Sequence, residues 1–388
     1  MKEHISIEEL YEAYYCCRRN KRNKRSAQRF ELDYEKNLCA LHRELNDMTY
    51  EIGKSTVFCV TRPKLREVFA ADFRDRIVHH LIMNRFMEIF ERYMITDSYN
   101  CREGKGTLYG VERLYIMGEH ITHGWKEEAW ILKCDLQGFF MSIDRKILWD
   151  IVEYILDRNY YGEDIDWWKW IIEKVISHKP ENCCVITGNK DLWKDLPPNK
   201  SLFTSNGKGL PIGNLTSQIF ANLYLSVFDR WVKRRLSIPD TLCFTDISGY
   251  GRYVDDFFII SKDKRLILDV LQESRTFLSD TLKLDLHPDK VYLQSIYKGV
   301  SFVGTVIKPN RKYTGNRTVN NMFNVIKLRN EGKITTKKFV DRMNSYMGFL
   351  VHTDSYAIRW RAWNAIECKD DIYMKGRMHH LVIKKKKK

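Results

Sequence analysis

The sequence predicts an α+β fold in which an antiparallel sheet packs on helices. Three observations carry that expectation: hairpin-like runs at residues 57–69 and 251–260, strand-like apolar segments at 129–143 and 299–309, and long helix-period stretches between and after them. The 388 residues are 44% hydrophobic and 13% aromatic, enough for a large core divided among two or three subdomains.

Residues 1–55 read as a basic helical region. Apolar positions recur at helical spacing from 7 to 50 and are interrupted by "RRNKRNKR" at 18–25, where six of eight residues are basic. That run is either a solvated turn or a phosphate-binding patch. The excess of 65 Lys and Arg over 50 Asp and Glu, a formal charge of +15, favours a polyanion, with nucleic acid first and an anionic membrane second. It assigns Arg18, Arg19, Lys21 and Arg22 to nucleic-acid contact.

"VFCVTRPKLREVF" at 57–69 reads as a hairpin with basic residues near its turn, and "ADFRDRIVHHLIMNRFMEIFERYM" as one long amphipathic helix. A strand follows at "AWILKCDLQGFFMSI", then helices up to Pro180. Residues 181–211, rich in Asn, Gly, Pro and Lys, read as a long loop or insertion. A helix starts after "GLPIG", a strand pair surrounds "RYVDDFFII", and "LILDVLQESRTFLSDTL" is a further helix. From 318 onward the pattern is helical, ending in a disordered basic "KKKKK".

The opening residues "MKEHISIEELYEAYY" are amphipathic and acidic, and no later segment holds 18 uncharged apolar residues, so neither secretion nor membrane spanning is expected. Ten cysteines without CxxC spacing read as reduced intracellular thiols rather than a disulfide or zinc framework. His79 and His80 read as helix packing or phosphate neighbours, not metal ligands.

Three acids stand out because their surroundings are apolar: Asp135 in "ILKCDLQGFFMSID", and Asp255 and Asp256 between "YV" and "FFII". Ionised carboxylates in such settings cost several kcal/mol unless a cation neutralises them. Three converging carboxylates in basic surroundings suit hard divalent ions with oxygen ligands, Mg²⁺ above all. In a two-metal site the expected chemistry is nucleotidyl transfer.

The motifs also resemble, in order, those of a reverse transcriptase: "RPKLREVFAADFRDRIVHH", "DSYNCREGKGTLYG", "KCDLQGFFMSID", "GLPIGNLTSQIFANLYL", "RYVDDFFII", "LDLHPDKVYLQS" and "GVSFVGTVIKP". They span about residues 60 to 310. Within the group II intron-like bacterial superfamily, "IGNLTSQ" most resembles the enzymes of diversity-generating retroelements, with "KSLFTSNGKGLPIG" and "MNSYMGFLVHTDSYAI" in support. The resemblance implies a right-hand polymerase: fingers and palm over 56–310, a helical thumb over 311–380 and a basic tail over 381–388.

By that resemblance Asp135 and Asp255 are the principal ligands of two Mg²⁺ ions, with Mn²⁺ a substitute. The Leu136 carbonyl is a further ligand and Asp256 completes the acidic cluster. Lys64 and Arg66 hold the incoming triphosphate, where charge-assisted contacts meet a leaving group that gains negative charge. Phe140 is the steric gate against a 2′-hydroxyl. In an alternating strand either Phe139 or Phe140 must be core. Ile212 and Gly213 line the nascent base pair, with Gly213 letting backbone approach the nucleotide closely. Ile replaces the usual Gln, which removes a hydrogen-bonding group and points to errors opposite template adenines. Lys290 is either a general acid for the leaving phosphate or a surface lysine after a turn. Gln218 and Asn222, one helical turn apart, order the floor of the site or touch template.

The expected partners are template RNA, cDNA, deoxynucleotides and a small oligomeric helical accessory protein, in a bacterial or phage-programmed cytoplasm and away from membranes. No ribonuclease H domain fits the residues after 310; a three-helix thumb does. The competing readings are a stand-alone bacterial reverse transcriptase of antiviral defence or group II intron-like type, and a catalytically idle RNA-binding scaffold.

Overall fold

The computed structural model describes residues 3–384 except 20 and 63, and the elements counted below are those of the described residues. The chain opens with α1 (Ile7–Arg18), α2 (Arg25–Glu31) and α3 (Tyr34–Asn46). Ser6 fixes the start of α1: its hydroxyl accepts from the Glu9 N–H at 3.2 Å and the Glu9 carboxylate accepts from the Ser6 N–H at 3.0 Å. Leu10, Tyr14 and Cys17 on α1 and Leu38, Leu41 and Leu45 on α3 are buried at helical spacing, which makes this region part of the main core.

A hairpin of β1 (Ser55–Val60) and β2 (Arg66–Ala70) follows, and Asp72 then caps the long helix α4 (Phe73–Tyr93). Next come α5 (Thr107–Ile121), β3 (Trp130–Asp135), the short α6 (Phe139–Ser142), α7 (Arg145–Asn159), α8 (Ile165–Ser177) and β4 (Cys184–Ile186). The chain continues through α9 (Leu215–Arg235), β5 (Ser248–Tyr253), β6 (Asp256–Ser261), α10 (Lys264–Leu282) and β7 (Tyr292–Ser295).

The central sheet has the order β5-β6-β3-β7, with every neighbour antiparallel. Both faces of β3 and β6 are apolar and both are covered. Leu132, Cys134, Phe257 and Ile259 belong to the main core with α9 and α10, while Ile131, Phe258 and Ile260 pack against α5. The fold is thus α+β, with an antiparallel sheet on helices, as the sequence predicts.

Three local expectations are corrected. Residues 139–142 are helical, not strand, because Gly138 turns the chain at φ +57 and ends β3's extended run. Residues 181–211 are more than a loop: β4 pairs in parallel with β1, extending the hairpin to a sheet of order β2-β1-β4. The region after 310 is not purely helical. The hairpin β8 (Val300–Phe302) and β9 (Thr305–Lys308) gains β10 (Arg311–Thr314) before α11 (Asn316–Asn330), α12 (Thr336–Leu350) and α13 (Tyr356–Asn364).

A final hairpin, β11 (Ile372–Lys375) and β12 (His380–Ile383), packs through β12 on α12. Residues 381–383 are therefore strand rather than tail. The Asn344 side chain holds Leu381 at both its N–H (2.6 Å) and its carbonyl (2.9 Å), and Ile372 and Leu381 join Met322, Met343 and Met347 in a separate core. Most of the "KKKKK" run, residues 385–388, lies outside the described residues. Among the described residues no helix is long and apolar enough to cross a membrane.

Candidate functional site

The end of β3 and the β5–β6 turn build the acidic site. Register pairs Asp135 with Asp256, so Val254 and Asp255 form the turn opposite the end of β3. The Leu136 N–H donates to the Asp255 carbonyl at 3.2 Å, and the His287 N–H donates to the Asp135 carbonyl at 2.8 Å. Asp135 is thereby clamped between the turn and the segment leading to β7. Val254 sits at φ +59, a costly conformation for a β-branched residue, so the turn is held against local preference.

Two ammonium groups neutralise these carboxylates. Lys290 Nζ lies 2.9 Å from Asp135 Oδ1, and Lys133 Nζ lies 2.8 Å from Asp256 Oδ2. Burial, helped by the nearby Asp135, pushes the Asp255 carboxyl above its ordinary range. Burial pushes Asp256 up to about 6 although Lys133 opposes it, and Asp256 Oδ1 is buried without a hydrogen-bond partner. Among the described residues no three Asp, Glu, His or Cys side chains form a ready-made metal cage. The structure brings the three expected acids together, Asp135 paired in register with Asp256 and Asp255 at the turn beside them, with Lys133 engaging Asp256 rather than the other two. An open pair of hard oxygen ligands still fits Mg²⁺, which keeps several waters and takes one or two carboxylates plus substrate phosphates.

Basic residues overhang this pair. Arg66 starts β2 and acts electrostatically on both Asp255 and Tyr253. Burial, then the charges of Lys290, Arg317, Lys200 and Arg66, pull the Lys64 ammonium below its ordinary range. Lys64, Arg66 and Lys290 therefore share one neighbourhood with cations from the 181–211 segment and from α11.

On α6, Phe139 is buried in the main core and Phe140 is half-buried, with its carbonyl accepting from the Leu210 N–H at 2.8 Å. One ring is core, as expected, but a helical turn rather than strand alternation separates the two. Ile212 packs beside Val57, Phe69, Met141 and Leu202, and its carbonyl accepts from the Phe69 N–H at 2.8 Å. Gly213 is at φ +124, and a Cβ there would lie 2.8 Å from Val68 Cγ1. The close approach of β2 thus itself requires glycine at this position.

Gln218 accepts from the Cys101 thiol. Asn222 is buried; its amide nitrogen donates to the Asn100 carbonyl at 2.8 Å and its oxygen accepts from Arg252. Asn222 is thus engaged within the protein, between α9 and the segment before α5. Arg18 is likewise engaged, its Nε 2.6 Å from Glu31 Oε1, while Arg19, Lys21 and Arg22 are exposed on the α1–α2 turn. His79 is buried and its imidazole is pushed down to about 3, first by burial, which agrees with packing rather than ligation.

Sequence reasoning missed Lys133, Glu67 and the buried pair Asp229 and Arg252. Lys133 carried a signal, since it alternates with Asp135 on one face of β3. The others act across more than twenty residues and leave no local pattern.

An antiparallel sheet with carboxylates at its turn, under a basic hairpin, defines the palm of a nucleotide-polymerising enzyme. The chain belongs to the reverse transcriptase (RNA-dependent DNA polymerase) family, whose model matches residues 53–307. By family it is an RNA-directed DNA polymerase. It is similar to Protein YkfC of Escherichia coli (strain K12), 22% identical over 281 residues that make up 66% of this chain and 67% of the relative. Two solved structures of apo telomerase from Candida tropicalis are also similar. One is 11% identical with a TM-score of 0.48 over 81% of this chain, and the other, truncated from its C-terminal domain, is 12% identical with a TM-score of 0.46 over 66%. The matches span 59% and 54% of those telomerase chains, less than two thirds of their length.

Proposed function

We propose that this protein copies RNA into cDNA by two-metal nucleotidyl transfer within a diversity-generating retroelement, with errors concentrated opposite template adenines. The observation that carries the catalytic part is the clamping of Asp135 beside the Asp255 turn, which sets hard oxygen ligands side by side. Asp135, Asp255 and the Leu136 carbonyl would hold the ions, with Asp256 completing the acidic cluster, and the bound metal would supply activation of a 3′-hydroxyl and charge stabilisation for the leaving pyrophosphate. Lys64 and Arg66 bind the triphosphate, and Lys290, within reach of the same carboxylate, protonates the leaving phosphate. Phe140 stands under the sugar and excludes a 2′-hydroxyl.

The retroelement assignment rests on "PIGNLTSQ" and on Ile212. An aliphatic side chain seated among Val57, Phe69, Met141 and Leu202 offers the nascent pair no hydrogen bond, so base-pair geometry is policed by shape alone. Residues 56–310 act as fingers and palm and the region from 311 as thumb, with Arg19, Lys21 and Arg22 on the template. A small oligomeric helical protein and a structured RNA complete the assembly in a bacterial or phage-programmed cytoplasm.

The test is sequencing of cDNA made on a defined RNA with Mg²⁺. Full-length product with substitutions clustered at template adenines is expected, and D135N or D255N should each lose at least about a thousandfold in rate while remaining folded. Ordinary error rates at adenines would remove the retroelement assignment and favour a stand-alone enzyme. Absence of any Mg²⁺-dependent product would leave an RNA-binding scaffold.

A further inference from the structure

We infer that Arg252 is a positioning residue for Asp255, fixing the turn that carries this carboxylate by tying it to α9 and to the segment before α5. The inference rests on the proposed role of Asp255. Arg252 and Asp229 are both completely buried, and the guanidinium grips Asp229 in a fork, Nε to Oδ1 at 2.7 Å and Nη2 to Oδ2 at 2.6 Å. Nη1 donates to the Val254 carbonyl at 2.8 Å and to Asn222 Oδ1 at 3.3 Å, and Nη2 also reaches Ser98 Oγ at 3.3 Å. All five N–H groups of the fork therefore have acceptors.

The backbone of the same residue is held as well: its N–H donates to the Asp97 carbonyl at 2.9 Å and its carbonyl accepts from the Tyr99 N–H at 3.0 Å. Tyr250 adds a hydroxyl donation to Asp229 Oδ1 at 2.6 Å, so Asp229 is anchored from both sides. Stability alone does not call for this arrangement, because an apolar pair of similar volume replaces a buried ion pair at little cost or with gain. What an apolar pair cannot do is hold the carbonyl of Val254, the residue at φ +59 that sets the direction in which Asp255 leaves the strand. A lysine, with one compact charge, cannot grip Asp229 and reach Val254 in the same geometry.

The test compares R252K, the double variant D229L/R252M and D255N in single-turnover primer extension. Loss of folded protein lowers the burst amplitude, whereas a misplaced carboxylate lowers the rate of the burst. R252K and D229L/R252M are expected to keep most of the amplitude and the deoxynucleotide affinity, within about threefold, while the burst rate falls roughly 10- to 100-fold, the scale of a 1 Å misplacement. A wild-type burst rate in either Arg252 variant, with only the amplitude reduced, overturns the positioning role. Full activity in D255N instead removes the role proposed for Asp255 and this inference with it. A dead D255N beside Arg252 variants with normal rates removes the inference alone.

Discussion

Lys133 and Lys290 each place an ammonium group on a carboxylate near the β5–β6 turn, yet the acids they meet differ. Asp135 is partly open and faces Lys290, while Asp256 is pinned beside Lys133 with one oxygen unpaired. Its carboxyl titrates at about 6 in the folded chain against the usual 3.8, because burial favours the neutral form. Between those values the native state binds more protons than the unfolded state, so stability falls as pH rises through this window and stays lower above it. D256N mimics the protonated acid. Without divalent metal it should therefore be more stable than wild type by about 1–2 kcal/mol at pH 7.5 and nearly equal near pH 4, as read by urea denaturation at both pH values. An Asn variant less stable than wild type at pH 7.5 would refute this. The acids were legible in the sequence because a charge inside an apolar run is conspicuous whatever surrounds it. Which lysine meets which acid was not legible, because that depends on register between strands more than a hundred residues apart.

Among the elements, the 181–211 segment departs furthest from what its composition suggests. Glu67 on β2 is fully buried, and its carboxylate accepts from the Leu202 N–H at 2.7 Å, the Ser201 hydroxyl at 2.9 Å and the Trp193 indole at 2.6 Å. At Gly138, where φ is +57, a Cβ would come within 2.8 Å of the Asn199 carbonyl, so the segment lies directly over the start of α6. The polar composition that suggests a loose insertion is thus the covering of the strand that carries Arg66. E67Q keeps the shape but turns one acceptor oxygen into a donor facing donors, at a cost of about 1–3 kcal/mol. Amide exchange over residues 193–204 should accelerate at least about tenfold while α9 and α10 keep their protection; unchanged exchange there would show that Glu67 does not anchor the segment. Helices and hairpins were readable because their signals are local. This anchor was not, since Glu67 meets partners 126 to 135 residues away.

For the whole molecule, the formal charge of +15 sets the expected response to salt. Arg18 spends its charge on Glu31, which leaves Arg19, Lys21 and Arg22 as the exposed basic residues of the α1–α2 turn in the proposed contact. Replacing those three by Ala should lower the slope of log K against log salt for RNA binding by about 2, without changing the burst rate of bound complexes. An unchanged slope would place the RNA elsewhere. The parallel pairing of β4 on β1 also has a consequence in time. Thr187 donates to the Val57 carbonyl at 2.9 Å across 130 positions of the chain. On a ribosome adding about 5–20 residues per second, β1 waits roughly six to twenty-six seconds with an unpaired edge before its neighbour exists. During that interval the nascent hairpin exposes a bare strand to other chains, so yield during expression should depend on translation speed and chaperone supply more than the stability of the finished fold suggests.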